Sequence, residues 1–299
     1  MILEVFYSRR YVGAAYEFDT TRKAKWVADA LVHSPIPGVV LKEPMPVSDA
    51  QLCMVHDADY IHAIRTGFPR ELAESQGFTW DPEIWPMAIS TNGGIVAAAS
   101  AALAHGVAGS LSSGLHHARK GAGEGFCTFN GLVIAARVAL SAGARSILIL
   151  DLDAHFGGGT HSLVVDDPQI WLLDISTNDF DQYPSSEQAR SILAHDPDQY
   201  LPTIEECLKD LEHCAPQFDL CIYNAGIDPY ENCSMGGLPG ITREILAKRE
   251  RMVFEWCAKR KLPVAFAIAG GYINRRLNED MLTDLHLLTI RSAAGVMGC

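Results

Sequence analysis

The 299-residue chain has no surplus of positive charge: 24 Lys and Arg stand against 36 Asp and Glu, a formal net charge of −12. So acidic a chain has no global field for nucleic acid or an anionic membrane surface, although that field favours a cationic substrate. No export leader is expected either, since Met1-Ile-Leu-Glu-Val5 has neither a basic start nor an apolar stretch of signal length. No uninterrupted apolar run approaches the ~18 residues of a membrane helix. These absences lead us to expect a soluble, cytoplasmic protein with no nucleic-acid or membrane partner. Cysteine is present, but the tight spacings of a disulfide scaffold or a CxxC metal knuckle are not. The eight, at 53, 127, 207, 214, 221, 233, 257 and 299, read as reduced and mostly buried, with Cys299 a tail residue. No repeat, low-complexity tract or linker marks a boundary, so residues 1–299 read as one domain. A composition 48% hydrophobic and 20% charged supplies a sizeable core and excludes a disordered or fibrous chain.

Short β-branched apolar runs alternate with longer Ala/Leu-rich segments. The pattern predicts strands at Ile2–Tyr7, Ile147–Leu150, Ile170–Leu173, Leu220–Tyr223 and Val264–Ala269, with a weaker one at Ala108–Ser112. Helices are predicted at Thr21–Val32, Gly94–His105, Asn130–Ser141 and Thr242–Lys259, with Gly106 and Gly143 as stop signals. Helices between continuous apolar strands imply a three-layer α/β/α domain around a mostly parallel sheet. Such sheets place their chemistry at the carboxyl ends of the strands.

The residues just beyond each apolar run are therefore the informative ones. After Ser146–Leu150 come Asp151-Leu-Asp153-Ala-His155 and Gly157–Gly159. With a period of two, Asp151, Asp153 and His155 share one side of an extended chain, and an Asp/His pair offers oxygen and nitrogen to a divalent ion. The plainer reading makes Asp153 a helix cap and His155 a loop residue; a phosphate cradle lacks the Gly-Lys-Ser/Thr that would come after it. After Phe218–Tyr223 comes Asp228, a third ligand from a distant strand or a turn residue before Pro229. After Pro263–Ala269 come Gly270-Gly271-Tyr272, a phenol on an irregular loop or simply a wall residue. The weaker strand leads to His116-His117, whose side chains would face opposite ways in a strand, so a shared site requires loop geometry. The remaining histidines are assigned no role. Together these segments supply a metal, tandem imidazoles and a phenol, the requirements of metal-assisted amide or ester hydrolysis.

Gly-Leu-His116-His117-Ala with Gly-Phe126-Cys, Asp151-Leu-Asp153-Ala-His155, Ala-Gly-Ile-Asp228-Pro and Gly-Gly-Tyr272 resemble the histone deacetylase and acetylpolyamine amidohydrolase superfamily, in its order. The likeness is to its bacterial-type amidohydrolases, covers roughly residues 50–275, and includes Val55–Tyr60 upstream. It implies an arginase/deacetylase-like fold and one catalytic Zn²⁺ or Fe²⁺ on Asp153, His155 and Asp228. It implies His117 as general base, His116 oriented by Asp151 as electrostatic partner, and Tyr272 as oxyanion donor. It further implies Phe126, Gly125, Tyr183 and Met235 along the substrate channel, and a structural K⁺ on Asp151, Asp153, His155, Asp174 and Ile175. The implied activity is deacylation of acetyl-lysine, an acylated amine or a small acylated metabolite, by a monomer or dimer.

The sequence departs from that pattern at several places. Gly158 lacks the Asn or Asp side chain that usually orients the base, so either another group or water holds His117 or its basicity differs. Met235 stands where polyamine-specific relatives carry Glu, which argues against polyamine selectivity. The usual early His-Pro-Glu loop reads Phe18-Asp-Thr-Thr-Arg22-Lys23, where the two cations either meet an anionic group on the substrate or form the first turn of an amphipathic helix. An arginase-type ureohydrolase needs bridging carboxylates that are missing at Gly157 and Tyr230. A non-catalytic reader of acylated ligands would be expected to have lost Tyr272, a ligand or the histidine pair, and none is lost.

Overall fold

Alternation inside the apolar runs decides the architecture. In β4 (Ile147–Asp151), Ile147 and Ile149 join one apolar core while Leu148 and Leu150 join another on the opposite face. The computed structural model describes residues 2–14 and 19–298; Phe18 and Cys299 lie outside the described residues. The other strands are β1 (Leu3–Phe6), β2 (Val39–Lys42), β3 (Val107–Ser110), β5 (Ile170–Ser176), β6 (Ala189–Leu193), β7 (Leu220–Gly226) and β8 (Val264–Ala269). They form one eight-stranded sheet in the order β2-β1-β3-β8-β7-β4-β5-β6. Every pairing is parallel, where the sequence promises only a mostly parallel sheet.

The helices are α1 (Asp19–His33), α2 (Asp49–Leu52), α3 (Ala58–Thr66), α4 (Arg70–Ala73), α5 (Ile84–His105), α6 (Gly131–Ser141), α7 (Gly158–Val164), α8 (Pro197–Cys214), α9 (Arg243–Lys259) and α10 (Glu279–Val296). Helices α5 and α6 pack on one face, and α1, α8, α9 and α10 cover the other. Gly106 and Gly143 take positive φ at the ends of α5 and α6, as their stop signals predict. By length and composition α5 is apolar enough to cross a membrane; Ser90, Thr91, Asn92 and Ser100 interrupt its apolar residues and hide it from a search for unbroken runs. It is a core helix here, packed on β1, β3, β8 and α6. The seven described cysteines are all free.

The strand order has a direct consequence for chemistry. β3, β8, β7 and β4 are consecutive at the centre of the sheet. Because they run parallel, the segments after all of them emerge side by side at one edge. These are the segments carrying His116-His117, Tyr272, Asp228 and Asp153/His155.

Candidate active site

After β3, Leu115 adopts φ +60 and turns the chain, so the adjacent histidines no longer point apart. Their ring centroids lie 4.1 Å from each other, which is the loop geometry a shared site requires. Leu115, Phe126 and Asp181 are three of the four non-glycine residues with positive φ among the described residues, and all three lie around this site. Such backbone strain costs on the order of 1–3 kcal/mol per residue and collects at functional loops.

Asp153, His155 and Asp228 each offer a ligand atom, all within 4.8 Å of one another. His155 Nδ1 lies 3.2 Å from Asp153 Oδ1 and 3.3 Å from Asp228 Oδ2. Asp228 Oδ1 accepts from the Ala154 amide at 2.9 Å, whereas its buried Oδ2 has no hydrogen-bond donor. Asp228 comes this close only because Gly270, at φ +62, has no side chain: a Cβ there would sit 2.3 Å from the Asp228 carboxyl carbon. Burial and the Asp153 charge push the Asp228 carboxyl up. Burial also opposes charge on His155, but the neighbouring Asp153 and Asp228 carboxylates outweigh it and raise its pKa, the response of a ring held between two negative groups. Two buried carboxylates, one orphaned oxygen and one imidazole demand a positive charge between them, and this donor set fits a divalent cation.

Two imidazoles flank this cluster in opposite electrostatic states. His116 Nδ1 donates to Asp151 Oδ2 at 2.7 Å, and its Nε2 lies 3.8 Å from Asp153 Oδ1. Burial lowers the His116 pKa, but Asp151 and Asp153 outweigh burial and lift it to about 10. His117 Nδ1 donates to Asp181 Oδ2 at 2.9 Å. Burial, then the charge of His116, push His117 down to about 4 despite Asp181. One ring is therefore built to be an imidazolium and the other a neutral acceptor.

The remaining predicted residues fall into place unevenly. The Tyr272 ring stands edge-on to His155, with centroids 6.3 Å apart. Burial and the Asp228 and Asp153 carboxylates hold its phenol well above the ordinary range, so it stays a donor. Gly125 lies against the His117 ring, Phe126 comes next in the chain, and Met235 is exposed. Tyr183 is not a channel residue: it is buried, stacks on His161 with centroids 4.1 Å apart, and donates to Asp174 Oδ2 at 3.3 Å. The aromatic beside the histidines is instead Phe180, half-exposed, 5.1 Å from the His117 ring and 6.1 Å from the His155 ring. Of the predicted K⁺ residues, Asp151 and Asp174 pair in register on β4 and β5, with Ile175 next in β5; all are fully buried. Burial and the Asp151 charge push Asp174 well up. Lys23 does not face the rim. It is buried near the start of α1 and donates to Ser113 Oγ at 2.8 Å and Gly270 O at 3.0 Å, while Arg22 stacks over Trp26.

Sequence reasoning misses several supporting residues. Asn224 donates to Asp151 Oδ1 at 2.8 Å, and Arg249, buried against Glu250, donates to the Leu152 carbonyl at 3.2 Å. His56, which carries no signal beyond Val55–Tyr60, donates to Arg119 O and accepts from the Asn130 amide, each at 2.9 Å. It thereby ties the histidine loop to the start of α6. Burial pushes His56 down to about 4. Between pH 4 and 6.5 the unfolded chain binds a proton there that the native chain refuses, so stability rises with pH across that window. The full contribution is about 3 kcal/mol. Urea unfolding across the window should show a His56→Gln variant with a shallower pH slope, lacking up to one proton; identical slopes contradict the assignment.

With this geometry in hand, known proteins offer a comparison. A family model described as a histone deacetylase domain matches residues 18–288. An uncharacterised protein of Picosynechococcus sp. is 35% identical over 263 residues, covering 85% of this chain and 85% of that protein. Histone deacetylase 2 of Arabidopsis thaliana is 26% identical over 268 residues, 81% of this chain and 66% of that protein. Among solved structures, acetylpolyamine aminohydrolase from Burkholderia pseudomallei matches with a TM-score of 0.76 at 19% identity, covering 99% of each chain, a likeness of fold. A match over nearly the whole length, on a chain whose strand ends gather an Asp/His/Asp cluster and paired imidazoles, places this protein in the histone deacetylase family of amidohydrolases.

Proposed function

We propose that the chain is a Zn²⁺- or Fe²⁺-dependent deacylase that cleaves the amide of an N-acylated amine, with the cation held by Asp153, His155 and Asp228. One observation carries this reading: a buried carboxylate oxygen, Asp228 Oδ2, without a donor, next to His155 Nδ1 and a second buried carboxylate. When bound, the cation supplies Lewis-acid polarisation of the acyl carbonyl and acidifies water. His117, with Nδ1–H committed to Asp181, has Nε2 free to take a proton from the attacking water and return it to the leaving amine. His116, held by Asp151, stays positive and stabilises negative charge as it develops. Tyr272 donates its phenolic proton in a hydrogen bond to the oxyanion.

An unbranched apolar tether such as a lysine carbon chain suits the uncharged Phe126, Phe180 and Met235, and Gly125 packs against the His117 ring without a side chain. The substrate is an acyl-lysine, an acylated amine or a small acylated metabolite, met by a monomer or dimer in the cytoplasm without nucleic acid or membrane. The net charge of −12 favours a cationic leaving amine. A structural K⁺ on Asp151, Asp153, His155, Asp174 and Ile175 is supported by the buried Asp151–Asp174 pair.

The test is mass-spectrometric turnover of metal-loaded protein on acetyl- and longer acyl-lysine peptides, N-acetylpolyamines and small acylated amino acids. Release of amine and carboxylate from one class, stopped by a chelator, is the expected result. No turnover on any class with metal confirmed in the site contradicts it.

A further inference from the structure

The base-orienting carboxylate comes from an unexpected part of the chain. The connection between β5 and β6 delivers Asp181, whose carboxylate is almost fully buried although the residue before it is half-exposed. One oxygen, Oδ2, accepts from His117 Nδ1 at 2.9 Å and from the Gly159 amide at 3.2 Å. The other, Oδ1, accepts from Arg119 Nη2, while Arg119 is itself fixed by Glu124 Oε2 at 2.6 Å and the Gly158 carbonyl at 3.2 Å. Asp181 holds φ +60, a conformation Asp tolerates better than most residues. The loop is pinned to the Asp153–His155 segment by the Phe156 amide donating to Phe180 O at 3.0 Å.

Gly158 and Asp181 are matched in space. A Cβ at position 158 would lie 2.2 Å from Asp181 Oδ1 and 2.5 Å from its carboxyl carbon. The missing side chain at 158 is thus a requirement of the Asp181 position, whose carboxylate fills that space.

We propose that Asp181, locked by Arg119, is the positioning residue for His117, and that in this chain the orienting side chain comes from the β5–β6 connection and not from the segment after His155. This rests on the deacylase reading for its kinetic arm alone. An acceptor on Nδ1 fixes the tautomer that leaves Nε2 as the proton acceptor, and Arg119 holds that acceptor ionised and in place. Phe180, the neighbouring residue, edges both His117 and His155, so the same loop that shapes the channel also aims the base.

The experiment compares wild type with Asp181→Asn, Gly158→Ala, Asp181→Gly and the exchange variant Asp181→Gly/Gly158→Asp, all metal-loaded. Long-range ¹H–¹⁵N NMR of the imidazoles is expected to place the His117 proton on Nδ1 in wild type and to lose that preference in Asp181→Asn. On an acyl substrate, kcat should fall about 100-fold in Asp181→Asn with KM little changed. Gly158→Ala should lower kcat by displacing Asp181, and the exchange variant should regain about tenfold or more over Asp181→Gly alone. Unchanged His117 tautomer and kcat in Asp181→Asn would overturn the assignment, as would an exchange variant no better than Asp181→Gly. If wild type turns over nothing, the deacylase reading fails, and the NMR arm still decides Asp181.

Discussion

Replacing Tyr272 with Phe is expected to lower kcat on an N-acyl amide by about 10²–10³-fold, a loss of about 3–4 kcal/mol of transition-state stabilisation. The effect should fall on kcat, because the oxyanion exists only in the transition state and its intermediate, not in the bound amide. The phenol is suited to donating a hydrogen bond, since burial and two neighbouring carboxylates raise its pKa and favour the protonated form. It lies beside His155 on the turn that Gly270 and Gly271 make possible, and losing a single oxygen leaves the ring packed as before. Steady-state kinetics of wild type and variant, with metal content measured on the same samples, check the expectation. Comparable kcat at equal metal loading would remove Tyr272 from the chemistry.

The second large effect is a change in how stability responds to metal. Asp228→Asn keeps the side-chain volume and an oxygen for the Ala154 amide, but removes one of two adjacent buried negative charges. Without metal, the variant is therefore expected to be no less stable than wild type, since the like-charge burden beside Asp153 is gone. With Zn²⁺ at about 100 times its dissociation constant, wild type should gain about 2.7 kcal/mol and the variant essentially nothing. Differential scanning calorimetry with and without Zn²⁺ gives both halves. Equal zinc-induced shifts in the two proteins would show that Asp228 does not hold the ion.

Much of this molecule is legible in its sequence, for identifiable reasons. β4, β7 and β8 are buried on both faces and therefore read as unbroken apolar runs. The edge strands β2 and β6 carry no such signal, because no residue of β2 and only Ala189 of β6 is buried, and β6 contains Arg190 and Ser191. Helices α8 and α10 escape as well, α8 because Pro202 inside its first turns reads as a break. α5 begins at Ile84 rather than Gly94, since the Asn92-Gly93-Gly94 interruption looks like a break and is instead a close approach to Met45 and Tyr11.

At the site, residues that end strands are readable and residues held by tertiary contact are not. Asp153, His155, Asp228 and Tyr272 each come within a few residues of the end of an apolar run. Asp181 lies five residues beyond the end of β5, in a polar stretch resembling any surface connection, and nothing local ties it to His117. Gly158 registers as an absence, but only space explains it. Tyr183 is misplaced by sequence reasoning because its position before a proline says nothing of whether the ring turns toward the channel or toward Asp174.

The central claim is that the Asp153–His155–Asp228 cluster holds the ion on which amide hydrolysis depends. The most direct measurement titrates metal into fully stripped protein and tracks bound metal and deacylation rate on the same samples. We expect the rate to rise in proportion to metal bound at that cluster and to saturate when it is filled. Undiminished hydrolysis by the stripped protein would contradict the account.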